Sequence, residues 1–251
     1  MNLSFYTAAV GAQQQQDRLD IHANNIANVN TYGFRAKIPS FSALMTGPVE
    51  GIDEELPRGV GSRLLDAETD FRSAGLYGTG RALDFAIEGD GFFALRDPVT
   101  GEVSFTRDGS FTLSDQYTAA EEGKETTTEP ERKWYLSDGL GRFVLDRNGR
   151  PLEITETQNE QLLGADLQLG VFDFINYNGM ESASENRLLQ VAKNGQVGLG
   201  NGKLVQGYLE LSNADLANEL AKVIESQRSF QYMLRMVTTS DEIETTVNNL
   251  R

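Results

Sequence analysis

The two ends of the chain carry helical periodicity and the middle does not. From Leu3 to about Val29 there is no Pro, and the only Gly is Gly11. Leu3, Tyr6 and Val10 recur at helical spacing, as do Leu19, His22, Ile26 and Val29 further along. Four amides at 13–16 interrupt the stripe, so this helix has a thin apolar seam. Asn28, Asn30 and Gly33 then supply stop signals, because Asn and Gly tolerate the left-handed backbone of a helix end.

The C-terminal pattern is stronger. From Tyr208 to Arg251 there is neither Gly nor Pro. Ser212 and Asp215 read as a helix start. Leu216, Leu220, Val223, Gln227, Phe230, Leu234 and Val237 follow at alternating spacings of four and three, a coiled-coil-like seam with one polar member. Thr239 and Glu242 form a second capping pair, which predicts a break or bend before Ile243, Val247 and Leu250. A helix from Leu216 to Asn249 would be about 50 Å long and cannot bury its seam on itself. It needs a partner, and the N-terminal helix is the nearest candidate.

Between the helices the pattern is β. Seven Asn-Gly or Asp-Gly steps, beginning at 90, 108, 138, 148, 178, 194 and 201, predict tight hairpin turns. Short runs rich in β-branched and aromatic residues flank them, such as LDFAIEGDGFFAL and KWYLSDGLGRFVLD. The predicted fold is therefore α+β: an all-β body over 81–207, inserted between terminal helices (1–35 and 208–251) that pair as a coiled coil. Residues 36–80 predict an extended linker, and the Glu- and Thr-rich stretch 117–132 predicts a mobile loop.

Composition narrows the chemistry. The 251 residues carry a net charge of −15, no Cys and a single His. Without Cys there is no disulfide scaffold, thiolate metal site or Cys nucleophile. With one His there is no His-based metal cluster, and any Ser-His-Asp triad would have to use His22. A strongly acidic chain lacks the clustered cations that nucleic acid requires. No apolar run reaches the roughly 18–20 residues of a membrane span. The N-terminal stretch has no basic start and no long apolar run, so it does not read as a cleaved signal peptide.

Enzyme motifs fail on inspection. Gly198–Lys203 faintly resembles a phosphate loop, but that loop needs Gly where Val197 stands and Ser or Thr where Leu204 stands. The turn at Asp146 starts like a calcium loop, but its Gly arrives too early and no Glu closes the frame. No catalytic, cofactor-binding or metal residues are expected, and the chain does not read as an enzyme. The Asn cluster is more informative. Asn24, Asn25, Asn28 and Asn30 crowd the end of a helix that Asn disfavours. Either that end is frayed, or the amides fix register across an interface.

The stretch NNIANVNTYGF at 24–34 resembles the N-terminal motif of the bacterial flagellar rod and hook protein family. Asn24, Asn25, Ala27, Asn28, Thr31, Gly33, Phe34 and Arg35 match it. Near the C-terminus, Ser212, Asn213, Asp215, Leu216, Glu219, Ile224, Gln227, Arg228 and Phe230 resemble the family's second signature, followed by Asp241 and Glu242. LDFAIEGDGFF at 83–93 and FTRDGSF at 105–111 are similar to its body strands. The stretch 151–207 is short for a distal rod or hook subunit, so the resemblance leaves the paralogue open.

The resemblance implies a structural subunit of the flagellar basal-body rod. Such a subunit leaves the cytoplasm through the flagellar export apparatus and assembles through its terminal helices into a helical tube that transmits torque to the hook. Its partners would be further copies and other rod and hook subunits, with neither nucleic acid nor membrane insertion. The implied assembly interface is Leu3, Tyr6, Val10, Leu19, Asn24, Asn25, Ile26, Asn28, Thr31, Gly33 and Phe34, with Leu216, Leu220, Val223, Ile224, Gln227, Phe230, Leu234 and Val237. Two other classes compete. A surface binding module, an adhesin-like β domain on a helical stalk, predicts an anchor or sorting signal, and none is visible. A wall hydrolase predicts a separate catalytic domain, for which 151–207 is too short.

Overall fold

The computed structural model describes residues 3–48, 57–117, 132–154, 167–184 and 186–250. Most of the predicted mobile loop, 118–131, lies outside the described residues. The chain divides into two compact units: one of 1–29, 36–70 and 214–251, the other of 30–35 and 71–213.

Among its described residues the first unit holds two helices and a ribbon. Helix α1 spans Leu3–Ala27 and α2 spans Leu216–Asn249. They pack antiparallel: Gly11 lies against Met233, Arg18 is 3.7 Å from Glu225, and His22 meets Glu219. The face α1 presents is small, with Ala8 and Ala12 buried, which lets the two backbones approach closely. Helix α2 begins one residue after its cap. Asp215, not Ser212, is the N-cap, and its carboxylate accepts from the amides of Ala217 (3.0 Å) and Asn218 (3.4 Å). The expected break near Thr239 is absent, and α2 runs unbroken to Asn249. The hydroxyls there do not compete for free amides. Thr245 and Thr246 donate instead to carbonyls four residues back, at 2.9 and 2.8 Å, so both stay within the helical ladder.

Strands β1 (Lys37–Pro48) and β2 (Pro57–Thr69) pair antiparallel as a long ribbon, with register shifts after Ser40, Leu44 and Thr46. The ribbon lies along α1. The side-chain carbonyl of Gln14 accepts from the Leu64 amide, so one of the amides that interrupts the helical stripe serves the ribbon's backbone.

The second unit is β. Strand β3 is Leu76–Gly78 and β4 Phe85–Glu88. Its largest sheet has at its centre β5 (Phe92–Arg96), which pairs with β6 (Val103–Thr106) on one side and β9 (Phe143–Val144) on the other. Strands β7 (Thr112–Tyr117), β8 (Arg132–Ser137) and β10 (Glu153–Ile154) extend it beyond β9. Strands β11 (Val171–Phe174), β12 (Glu181–Ala183), β13 (Arg187–Leu189) and β14 (Val197–Leu199) complete it. Two short pairs stand apart: β15 (Lys203–Gln206) on β4, and β16 (Tyr208–Glu210) on β3.

Side chains of a strand alternate faces, and β5 uses both. Phe93 and Leu95 enter one core with Phe85, Ile87, Phe111, Leu136 and Leu169. Phe92 and Ala94 enter a second with Phe105, Phe174 and Leu188. The run Phe92–Leu95 is continuously apolar because both faces are covered.

The Gly-containing steps mark turns, but few of them are two-residue hairpins. None of the seven Asn or Asp residues has a positive φ, which that turn requires of both central residues. Asp138 and Asp146 build larger loops with their side chains instead. Asp138 Oδ1 accepts from the amides of Leu140 (3.0 Å) and Arg142 (2.9 Å), and Asp146 Oδ1 from those of Asn148 (2.7 Å) and Arg150 (2.9 Å). The step at Asn201 joins β14 to β15, which pair with different strands. The faint phosphate-loop segment is thus a connection between sheets.

Candidate assembly interface and the residues that position it

The motif residues of the N-terminal half fall into two polar clusters, one in each unit. In the first unit the cluster sits where the last turns of α1 meet the first turn of α2. Glu219 is buried, and its carboxylate accepts from His22 Nδ1 at 2.6 Å, Asn25 Nδ2 at 3.2 Å and Lys222 Nζ at 3.0 Å. Burial pushes this carboxyl up, but the hydrogen bonds from Lys222, His22 and Asn25 outweigh it and hold the group below its ordinary value. Glu219 is therefore ionised at neutral pH, and His22 Nδ1 carries the shared proton. This makes His22 a buried structural residue facing a carboxylate.

Asn25 does a second job. Its Nδ2 donates to the Lys37 carbonyl at 2.8 Å, and its Oδ1 accepts from the Lys37 amide at 2.9 Å. The carboxamide thus pairs with a backbone as a strand neighbour would, and fixes the start of β1 to the end of α1. Its remaining N–H goes to Glu219, so one buried Asn joins α1, α2 and the ribbon. Asn28 acts locally, donating from Nδ2 to the Asn24 carbonyl at 2.9 Å as the helix ends. Asn24 itself is exposed.

In the second unit Glu210, only 1% exposed, faces two buried guanidinium groups. Arg35 Nη2 lies 2.8 Å from Oε1 and Arg107 Nη1 lies 3.1 Å from Oε2. Oε1 also accepts from the Ala74 amide at 3.0 Å, and the Glu210 carbonyl accepts from the Gly33 amide at 2.8 Å. Arg107 donates further to the carbonyls of Ile87 (3.3 Å) and Gly89 (2.7 Å), and its guanidinium sits 5.3 Å from the centre of the Phe92 ring. Arg35 donates to the Arg72 carbonyl at 3.0 Å. Burial pulls the Arg107 group below its ordinary value, while Glu210 works in the opposite sense. Gly33 has φ +64°, and a Cβ there would lie 2.5 Å from the Arg107 carbonyl carbon and the Asp108 amide nitrogen. Only glycine fits between the motif and the β6 end.

The remaining expected interface residues divide by exposure. Gly33 and Phe34 are buried within the second unit, where Thr31 is half-buried. Leu19 and Ile26 are half-buried on α1, while Tyr6 and Val10 are exposed. Leu3 lies in the first turn of α1. On α2 the line facing α1 runs through Glu219, Val223, Ser226, Phe230, Met233, Val237 and Ser240. Of the expected seam, Val223, Phe230 and Val237 are half-buried there, while Leu216, Leu220, Gln227 and Leu234 are exposed, as is Ile224. The line joins polar Glu219, Ser226 and Ser240 with Val223, Phe230, Met233 and Val237, while Leu216, Leu220, Ile224 and Leu234 stay outside it.

Sequence reasoning passed over Glu219, Arg35, Arg107 and Glu210 as site residues. Three of them stand inside the quoted motifs. Glu210 carried a signal of its own, a charged residue between Leu209 and Leu211 in a strand-like run.

The described helices thus leave Leu216, Leu220, Ile224 and Leu234 in solvent, and each unit holds one buried polar cluster tied to its own backbone. Comparison with known proteins gives the family. The model "Flagella basal body rod protein" matches residues 5–35, the D1 domain model of the flagellar hook protein FlgE/F/G matches 86–125, and the C-terminal model of flagellar basal body rod FlgEFG protein matches 205–250. The chain is 30% identical to flagellar basal-body rod protein FlgG of Bacillus subtilis (strain 168), over 99% of this chain and 98% of that protein. It is 30% identical to FlgG of Borreliella burgdorferi over 100% and 99% of the two chains, and 29% identical to FlgF of Rhizobium meliloti (strain 1021) over 96% and 94%. The chain belongs to the flagellar basal-body rod family. It is a structural, non-enzymatic component, and its place is the bacterial flagellar basal body.

Proposed function

We propose that this protein is an axial rod subunit whose terminal helices, paired as a coiled coil, pack against further copies and other rod and hook subunits. The product is a helical tube that carries torque to the hook. In this reading the terminal helices form the rod core and the β unit is the body. The subunit reaches its place through the flagellar export apparatus, without inserting into a membrane.

The observation that supports this best is the exposure of Leu216, Leu220, Ile224 and Leu234 on α2 while another face of the same helix is taken by α1. Side chains of this size each gain about 1.5–3 kcal/mol on burial, so a subunit that leaves four in water is stabilised by assembly. Contacts between such faces that do not close on themselves generate open filaments.

The test is incorporation. Leu220→Glu with Ile224→Glu places charge on the outer face and leaves the contact with α1 unaltered. The purified double variant should keep the unfolding midpoint of the unsubstituted chain and be lost from basal bodies. Deletion of 216–237 should likewise abolish incorporation while the β unit still unfolds cooperatively. Basal bodies that contained either variant at the normal level would contradict the reading.

A further inference from the structure

Four Asn-Gly steps stand at 148, 178, 194 and 201, and the fold treats them differently. An Asn that precedes Gly is open to one covalent change that needs no enzyme. The Gly nitrogen attacks the side-chain carbonyl carbon of the Asn. The N–H proton leaves with the side-chain nitrogen as ammonia, and a cyclic imide closes. Water then opens the imide at either carbonyl, leaving aspartate or isoaspartate. No electrons are exchanged, and water is the only co-reactant. Ring closure needs a free carboxamide, a Gly N–H without an acceptor, and room for the Gly backbone to turn toward the side chain.

Three of the four steps lack one of these. Asn194 is fully buried and its carboxamide is held at both ends. Oδ1 accepts from the Val191 amide at 2.7 Å, and Nδ2 donates to the carbonyls of Asn176 (2.9 Å) and Asn178 (3.3 Å). At 148 the nucleophile is engaged: the Gly149 amide donates to the Asp146 carbonyl at 3.1 Å, and Asn148 Nδ2 donates to Asp146 Oδ2 at 3.3 Å. At 201 the backbone is wedged. Gly202 is half-buried, and a Cβ there would lie 2.4 Å from the Asp90 carbonyl oxygen and 2.5 Å from Ile87 Cγ2.

The step at 178 meets every condition. Asn178 and Gly179 are both exposed, in the connection between β11 and β12. The Asn178 carboxamide and the Gly179 N–H have no partner among the described residues. A Cβ on Gly179 would meet only Lys193 Cδ, at 3.9 Å. The Asn178 carbonyl takes up negative charge as the Gly179 nitrogen loses its proton, and it already accepts from buried Asn194.

We propose that Asn178 is a site of spontaneous modification, converting to aspartate and isoaspartate in the folded chain ahead of the other three. The isoaspartyl form adds a carbon to the backbone inside the turn that the Met180 amide closes on the Tyr177 carbonyl at 3.4 Å. Met180 is buried and the Tyr177 ring stacks on Phe71 at 5.1 Å, so the lengthened turn disturbs the core behind β5.

The test holds the purified full-length chain in mildly alkaline buffer and follows all four sites by peptide mass spectrometry. It is run under native conditions and again in concentrated guanidinium chloride. The native chain should convert at Asn178 at least about tenfold faster than at Asn148, Asn194 or Asn201. In denaturant the four should convert at similar rates, because each is followed by Gly and the fold no longer separates them. Asn178→Gln changes an exposed side chain without a partner among the described residues, so it should fold normally and lose the leading conversion. A native chain in which Asn178 does not lead would overturn the proposal. So would an excess at 178 that persists in denaturant, which would trace it to the neighbouring sequence and not to the fold.

Discussion

Asn25 and Glu210 each hold three pieces of backbone together with one side chain, and each does so while buried. Replacing Asn25 with Ala removes both bonds to Lys37 and one to Glu219. Each buried polar group left unpaired costs about 1–3 kcal/mol, so Asn25→Ala should destabilise the helical unit by about 2–4 kcal/mol in denaturant unfolding. Glu210→Gln keeps the shape but removes the negative charge between two buried guanidinium groups. Breaking a buried pair from one side typically costs about 3–5 kcal/mol, and a loss of that size is expected in the β unit. A Glu210→Gln chain with an unchanged midpoint would show that the backbone bonds alone hold the cluster. Gly33→Ala combines a disfavoured backbone with a clash against 107–108, and should cost at least about 2 kcal/mol.

Glu219 adds a pH dependence whose sign follows from its environment. Its folded carboxyl ionises more readily than the ordinary group. The stabilisation it provides is therefore complete above the unfolded carboxylate value of about 4.3, and is lost as pH falls through the lower folded value. Thermal unfolding of the helical unit should weaken more steeply below about pH 4 in the unsubstituted chain than in Glu219→Gln, which has already lost that contribution.

At the scale of elements, what the sequence made legible was periodicity. Long runs with no Pro and little Gly marked both helices, and α2 spans Leu216–Asn249 without the break expected near Thr239. Which face each helix buries was less legible. Ala8, Ala12, Ser226 and Ser240 are buried between the helices because small side chains permit close approach, whereas a pattern built on large apolar residues selects Leu216, Leu220 and Leu234. The ribbon of β1 and β2 was read only as an extended stretch, since its pairing depends on contacts along α1 such as Gln14 to Leu64. The Asp and Asn turns were visible, but their strand partners were not. A turn residue fixes a local bend, while partner choice is decided by the core that forms on both faces of β5. Phe93, fully buried at that centre, should cost about 3–5 kcal/mol when replaced by Ala, read in the unfolding of the β unit.

At the scale of the molecule, the motifs pointed to the family before any coordinate, and full-length similarity to FlgG and FlgF proteins agrees with them. The motif residues divide by exposure: Asn25, Gly33, Phe34 and Arg35 are buried, whereas Asn24, Leu216, Ile224 and Gln227 are exposed. The buried ones hold backbone within each unit: Asn25 fixes the start of β1 to α1 in the first, and Arg35 pairs with Glu210 in the second. The most direct test of the central claim is mass spectrometry of purified hook-basal bodies from the source organism, with and without this gene. The account predicts the chain at a stoichiometric level, and non-motile cells without hooks when the gene is lost. Its absence from basal bodies, with motility intact, would contradict the account.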